Sequence, residues 1–317
     1  MVPLKERCVG RWRSLLPSLG VEARFLTNRH GPCPMCSGKD RWRFDDRAGE
    51  GTWFCSHCGS GDGIELVKRV LNLAFKEAAK EIEKHLPDAA VVVPKAEKSA
   101  AEKQDRALRQ WCRGLPLNGI DPASRYLMRR GISLERWPSQ IRFLSEARYW
   151  NDDKTYSTHP AMLAQFVAPD MSATTVHITY LTEDGCKADV PDVRKIMPGK
   201  IPFGGAVRLF PSASVMGVAE GIETALSAAR IWSVPVWACL NAGLLLKWEP
   251  PPTVKKVLIF GDRDSSFAGQ HVTYGLAYRL KTKGLDVSPM MPDEMDVDWN
   301  DILCADAKDA RDAPTTV

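Results

Sequence analysis

No stretch of this chain approaches the ~18 consecutive apolar residues that a membrane-spanning helix needs. The opening MVPLKERCVGRWRSLLPSLG has no apolar core of the kind a secretory leader carries. No membrane partner is therefore expected, and the expected location is the cytoplasm. In that compartment nine cysteines are not expected to build a disulfide framework. Five of them (Cys8, Cys112, Cys186, Cys239 and Cys304) are scattered and read as free thiols. No internal repeat is present, and a net charge of +4 is too small to demand a polyanionic partner, though it permits one. What remains is a 317-residue chain, 44% hydrophobic and 26% charged, the texture of a globular protein long enough for two or three units.

The charge is unevenly spread. Residues 1–47 carry ten Lys/Arg against five Asp/Glu, whereas residues 286–317 carry nine acids against two bases. A basic head and an acidic tail place any nucleic-acid contact at the front of the chain. Residues 1–30 are expected to hold one or two short helices. DGIELVKRVLNLAFKEAAKEIEKHL reads as one strong helix capped by Asp62, with Val67, Val70, Leu71, Ala74, Ala78 and Ile82 on one face. Residues 87–104, rich in Ala, Lys, Glu and Pro, read as a linker. DPASRYLMRRGIS reads as a helix between an Asp121 cap and a Gly131 stop, and AMLAQFVAP and ATTVHITYL as a hairpin. RKIMPGKIPFGGAVRLF is expected to alternate short strands with Gly and Pro. From residue 214 strands alternate with helices of ten or more residues, the rhythm of a parallel sheet with right-handed crossovers.

Two Cys-x-x-Cys pairs carry the first chemistry. Cys33 and Cys36, then Cys55 and Cys58, are separated by 18 residues, which fits a zinc ribbon. Each pair places two thiolates on one turn, about 2.3 Å from a Zn²⁺, and two turns complete a tetrahedron. Four thiolates leave no open coordination position, so the metal would be structural. Its binding would supply folding energy, roughly 10–16 kcal/mol apparent in finger-sized peptides. His30 and His57 lie beside the knuckles and read as non-ligating. Between the knuckles, Lys39, Arg41, Trp42, Arg43 and Phe44 are the candidate nucleic-acid contacts, with Arg47, Trp53 and Phe54 nearby. Cations neutralise phosphates and aromatic rings stack on unpaired bases. For each aromatic the alternative is packing inside the ribbon.

The second chemistry is acidic. VMGVAEGIET puts Glu220 just past a strand, and VLIFGDRDSS does the same for Asp262 and Asp264. Open α/β sheets bind ligands at such carboxyl ends. A cluster of hard oxygen ligands suits Mg²⁺ or Mn²⁺, which in pairs clamp the attacking and leaving oxygens of phosphoryl transfer. DVDWND offers Asp298 and Asp301 as further metal candidates. Lys195, Lys200 and Arg208, with Arg194, are candidates for nucleotide or primer phosphates, and KIPFGG would let backbone approach them. His177 and Tyr180 read as core.

EGIETALSA with FGDRDSSFAGQ resembles the Toprim domain of DnaG-type primases, topoisomerases and some nucleases. HGPCPMCSGKDRWRFDD and GTWFCSHCGSGDGIELV resemble the zinc ribbon of phage and mobile-element primases of the satellite-phage alpha-protein kind. One motif departs: Cys36 stands where the DnaG zinc motif has a histidine. The resemblance implies a multi-domain α/β chain. Residues 1–86 would form a zinc-ribbon DNA-binding domain with a C-terminal helix, and 87–104 a linker. Residues 105–211 would form the helical and β-rich start of the catalytic core, and 212–317 a Toprim domain with a mainly parallel sheet. It implies a DNA primase making short RNA primers from NTPs on single-stranded DNA. Glu220, Asp262 and Asp264 would be catalytic and carry Mg²⁺ or Mn²⁺, Zn²⁺ would be structural, and a replicative helicase would act in trans at replication forks of a bacterial host. The rivals are a Toprim nuclease using the same acids and a non-catalytic single-strand adaptor that recruits a helicase. A topoisomerase is disfavoured, because none of the six tyrosines is an obvious nucleophile outside the strand-rich core.

Overall fold

The computed structural model describes residues 2–87, 99–151, 155–199 and 201–312. It divides into two compact units, Met1–Glu97 and Lys98–Val317. Of the linker expected over 87–104, residues 88–98 lie outside the described set.

In the first unit, α1 (Leu4–Cys8) and α2 (Trp12–Ser18) precede a three-stranded antiparallel ribbon of β1 (Trp42–Phe44), β2 (Trp53–Cys55) and β3 (Gly59–Gly61). Alternation decides which side chains go inside. Trp42, Phe44, Trp53 and Cys55 are buried, while Arg43 and Phe54, paired in register, face outward. Trp42 stacks on Trp53 at 5.2 Å, and both join a core with Trp12, Leu15, Leu16, Val67 and Ile82. Gly63 is required there, because a Cβ would come within 2.2 Å of the Trp12 ring.

The single helix expected over residues 62–86 is two helices, α3 (Gly63–Leu71) and α4 (Phe75–His85). Asp62 does cap the first, its carboxylate accepting from the Glu65 N–H at 3.0 Å. The helix stops because Asn72 adopts the left-handed conformation, a C-terminal signal in its own right. Ala74 then starts the next turn, its backbone N–H donating to Glu77. A hydrophobic face that persists through the break had concealed it.

The second unit opens with α5 (Ala100–Arg113), β4 (Leu115–Pro116) and α6 (Pro122–Arg129), the last capped by Asp121 and stopped at Gly131 as expected. A five-stranded antiparallel sheet follows, in the order β4, β5 (Ile141–Trp150), β6 (Tyr156–Val167), β7 (Ala173–Tyr180) and β8 (Arg194–Ile196). Its central strands read as near-continuous apolar runs because both faces are covered. Met162, Ala164 and Phe166 belong to one core, while Ala161, Leu163 and Ile178 join Ala107 and Trp111 of α5 in another. Beyond β8, the strands expected in KIPFGGAVRLF reduce to isolated bridges at Ala206 and Val207.

The remainder is a four-stranded, wholly parallel sheet in the order β10-β9-β11-β12, formed by β9 (Val215–Ala219), β10 (Val236–Ala238), β11 (Lys256–Phe260) and β12 (Asp286–Met290). Helices α7 (Ile222–Trp232), α8 (Ala242–Leu246), α9 (Ala268–Thr282) and α10 (Trp299–Asp312) complete it. From β9 the chain adds β10 on one side, then crosses back to add β11 and β12 on the other. The direction of winding therefore reverses between β9 and β11, where open α/β sheets form their ligand crevice.

Candidate active site and metal centre

The four cysteines meet. Their sulfurs all lie within 4.8 Å of one another, with Cys33 to Cys58 and Cys36 to Cys55 each 3.9 Å apart. A tetrahedron with ~2.3 Å Zn–S bonds has edges of about 3.8 Å, close to the two 3.9 Å separations, so the donor set fits zinc. Burial and the neighbouring thiols push Cys58 up to about 12, whereas a backbone bond at Gly38 brings Cys36 down to about 7. A cation at the centre would oppose the upward shift of Cys58 and favour its thiolate.

On the ribbon, Lys39 and Arg41 are exposed and Arg43 is half-buried. Trp42 and Phe44 are 1% and 0% exposed, which corrects their assignment as nucleic-acid contacts: rings in the ribbon core cannot stack on a base. The outward aromatic is Phe54, 40% exposed, with the Arg43 guanidinium 5.9 Å from its ring centre.

The acids meet at the crevice. Ala219 and Phe260 are register partners at the ends of β9 and β11, so Glu220 and the Gly261–Asp262 turn leave the sheet side by side. A pocket of about 190 Å³ opens there, its lining shared by three carboxylates, Glu220, Asp262 and Asp298, and by Arg130, Arg194 and His177. Residues 221–224, the start of α7, also line it, and a helix N-terminus favours anions. Burial, then the charges of Asp298, Glu220 and Asp264, push Asp262 up to about 6. Its Oδ1 is buried without a hydrogen-bond partner, as expected of an oxygen reserved for a cation. Burial likewise raises Glu220. The carboxylates are spread more widely than the thiolates: among the described residues only the cysteine group has its ligand atoms within 4.8 Å of one another. The acidic pocket fits a divalent ion sharing its ligands with water or phosphate oxygens.

Not every candidate acid lines this pocket. Asp264 faces its own loop, accepting from the Ser266 hydroxyl at 2.5 Å and the Gly269 N–H at 2.7 Å, and these bonds hold it below the usual carboxylate range. It sits at the rim, where its charge is felt by Asp262 and Glu220. Gly269 permits this turn, since a Cβ there would come within 2.3 Å of the Asp262 carbonyl oxygen. Asp301 is exposed and accepts from the Asp298 N–H at 3.1 Å, a helix-capping duty. The rest of DVDWND anchors: Trp299 donates to the Gly261 carbonyl at 3.1 Å, and buried Asn300 ties the Arg130 carbonyl to Ser227.

The basic candidates fare differently. Arg208 lies elsewhere, donating to the Ala168 carbonyl and sitting 4.8 Å over Trp237. Lys195 points away from the acids, and Lys200 lies outside the described residues. The cations that do face the acids are Arg194 and Arg130. His177, read as core, is indeed buried, but it also lines the pocket, and burial pulls it down to about 4, so it is neutral near pH 7.

Sequence reasoning passed over Glu223, although it stands in the quoted EGIET. It is 6% exposed and accepts from Tyr126 Oη at 2.7 Å and Arg194 Nη2 at 2.8 Å. Burial opposes its charge, but Arg194 and Tyr126 overcome that and lower it. Glu223 thereby fixes Arg194 against the pocket. Glu223→Gln would leave that cation unpaired. Loss of a buried partner costs about 3–5 kcal/mol. Because the Arg194 side chain is 45% exposed, roughly 2–3 kcal/mol is expected. It would be read as a lower urea midpoint at constant slope, and an unchanged midpoint would show that the bond contributes nothing.

Comparison with known proteins matches three segments of the chain. Residues 28–64 match the zinc-binding domain of primase-helicase, residues 215–309 match a Toprim domain, and residues 101–209 match a domain of unknown function, DUF7146. Among solved structures, the zinc-binding and RNA polymerase domains of Aquifex aeolicus primase align at 16% identity and a TM-score of 0.44, over 89% of this chain and 77% of that one. The primase fragment of the bacteriophage T7 primase-helicase protein aligns at 12% identity and 0.38, over 90% and 98%. A DnaG primase catalytic domain bound to single-stranded DNA aligns at 15% and 0.45, over 67% and 79%. The chain thus joins a zinc ribbon of the primase-helicase kind to a Toprim domain, the domain makeup of the zinc-ribbon plus Toprim primases.

Proposed function

We propose that the protein is a DNA primase that makes short RNA primers on single-stranded DNA by metal-dependent nucleotidyl transfer. The observation that carries this reading is the pocket at the sheet's switch point, lined by both carboxylates and arginines, in a chain that also holds a four-cysteine ribbon. Glu220, Asp262 and Asp298 would hold Mg²⁺ or Mn²⁺, with Asp264 supporting from the rim. When bound, the ion would lower the cost of charge developing on the attacking and leaving oxygens. Arg194, fixed by Glu223, and the N-terminus of α7 would hold nucleotide phosphates. Arg130 adds a second cation to the pocket lining. Much of the rate would come from this positioning and from fixed charge. Lys39, Arg41, Arg43 and Phe54 would grip template strand. A mobile-element replicon in a bacterial host, and a helicase partner acting in trans, complete the proposal.

The test is synthesis on mixed-sequence single-stranded DNA with four NTPs and Mg²⁺ or Mn²⁺. Short labelled products are expected. Shortening of the DNA instead would identify a nuclease, and tight binding with neither outcome would leave an adaptor.

A further inference from the structure

The second unit has cavities larger than the acidic one. A groove of about 800 Å³ is lined by Arg106, Arg113, Arg148 and Lys195, with Trp150 and Tyr156 among them. It falls within the segment matched only by a domain of unknown function. Adjacent residues of a strand point to opposite faces. His177 and Arg194 line the acidic pocket, whereas the next residues, Ile178 and Lys195, line the groove. Ile178 also packs with Ala107 and Trp111 of α5, the helix that supplies Arg106 and Arg113, so the groove lies on the α5 face of β7 and shares no residue with the acidic pocket.

The chemistry of the groove is specific. Trp150 and Tyr156 are register partners at the end of a hairpin, 46% and 50% exposed, with ring centres 5.1 Å apart. The Arg148 guanidinium sits 4.9 Å over the Tyr156 ring. The four cations come from three elements, α5, β5 and β8, and only one acid, Glu146, lines the groove with them. Asp192 reaches Lys195 at 3.8 Å, but among the described residues neither Arg106 nor Arg148 has an ion-pair partner. Exposed rings flanked by cations, two of them without an ion-pair partner among the described residues, match a strand of unpaired bases on a phosphate chain. A duplex keeps its base faces inside the stack and offers such rings nothing.

We infer that this groove is a second nucleic-acid interface, which carries a single strand across the α5 face of the sheet. The strand could be template or emerging primer, since the two share this chemistry. The inference does not depend on the acidic pocket, so it is tested on the zinc-loaded chain without added Mg²⁺, Mn²⁺ or nucleotides.

The measurement is equilibrium binding of the full chain to labelled oligo(dT), oligo(rU) and a duplex of equal length, across a salt series. Trp150→Ala is expected to weaken single-strand binding roughly tenfold, with Trp150→Phe restoring most of it. Arg106→Ala with Arg148→Ala is expected to lower the salt slope by about 1.4, or ~0.7 per contact. A 4-thiothymidine oligonucleotide should crosslink to the peptide containing Trp150 or Tyr156. The tighter of DNA and RNA would support the inference and identify the strand. Unchanged affinity in these variants with crosslinks confined to other peptides, or a duplex bound as tightly as a single strand, would overturn it.

Discussion

Asp262→Asn is expected to abolish primer synthesis, by roughly a hundredfold or more, and at the same time to make the folded chain more stable. The first half follows from position. Asp262 lies at the switch point between two parallel strands, with an unpartnered buried oxygen facing the pocket. An amide keeps the shape but loses the charge that would hold a cation, and removing one fixed electrostatic group from such a site costs roughly 10²–10³ in rate.

The second half follows from the sign of its titration. Burial and three neighbouring carboxylates raise Asp262 from 3.8 to about 6 in the folded chain. Below pH 3.8 the group is protonated whether folded or not and costs nothing. As the pH rises through about 6 the folded chain must carry a charge it disfavours, and stability is lost. At pH 7.5 the cost is at most about 3 kcal/mol for two pKa units, so relief of roughly 1–3 kcal/mol is expected from the amide. Thermal melting at pH 7.5 checks this. Mg²⁺ should raise the melting temperature of the native chain and leave Asp262→Asn unmoved. A variant that loses activity and stability together would make Asp262 an ordinary structural residue.

Which parts of this site were legible in advance has a physical pattern. Glu220, Asp262 and Asp298 could be found because strand ends and short acidic motifs are local in sequence. Zinc ligands are local in the same way, with two residues between each pair. Arg130 gave no such sign, because the acids it meets are far off in sequence and its backbone carbonyl is held by Asn300, 170 residues away. Glu223 looked like any polar residue in the first turn of a helix, and its partners Tyr126 and Arg194 lie 97 and 29 residues off. Trp42 and Phe44 were misread for a related reason. Arg and aromatic residues alternate along β1 whether the rings stack on bases or fill a core, and only the pairing with β2 shows which face is inside. The groove at Trp150 stayed hidden because its cations are drawn from three separate elements.

Removal of zinc is expected to have the other large effect, and to confine it to one unit. The first unit's buried core centres on Trp12, Leu15, Leu16, Trp42, Trp53 and Ile82, within fewer than ninety described residues. A single core of that size rarely supplies more than about 3–5 kcal/mol. Tetrahedral zinc contributes roughly 10 kcal/mol or more apparent in small folds, so the metal outweighs the core and its loss should unfold the ribbon. The second unit has cores of its own that include none of these residues, and should stay folded. Hydrogen exchange on a chelator-treated sample reads both at once. Peptides spanning Trp42 to Cys58 should lose protection while those of β6 and β11 keep theirs. Cys55→Ser should reproduce the pattern, since it removes a buried ligand that no neighbour replaces. Protection retained across the ribbon after complete zinc removal would mean that the stacked tryptophans hold the fold without the metal, and that the four thiols serve a different chemistry.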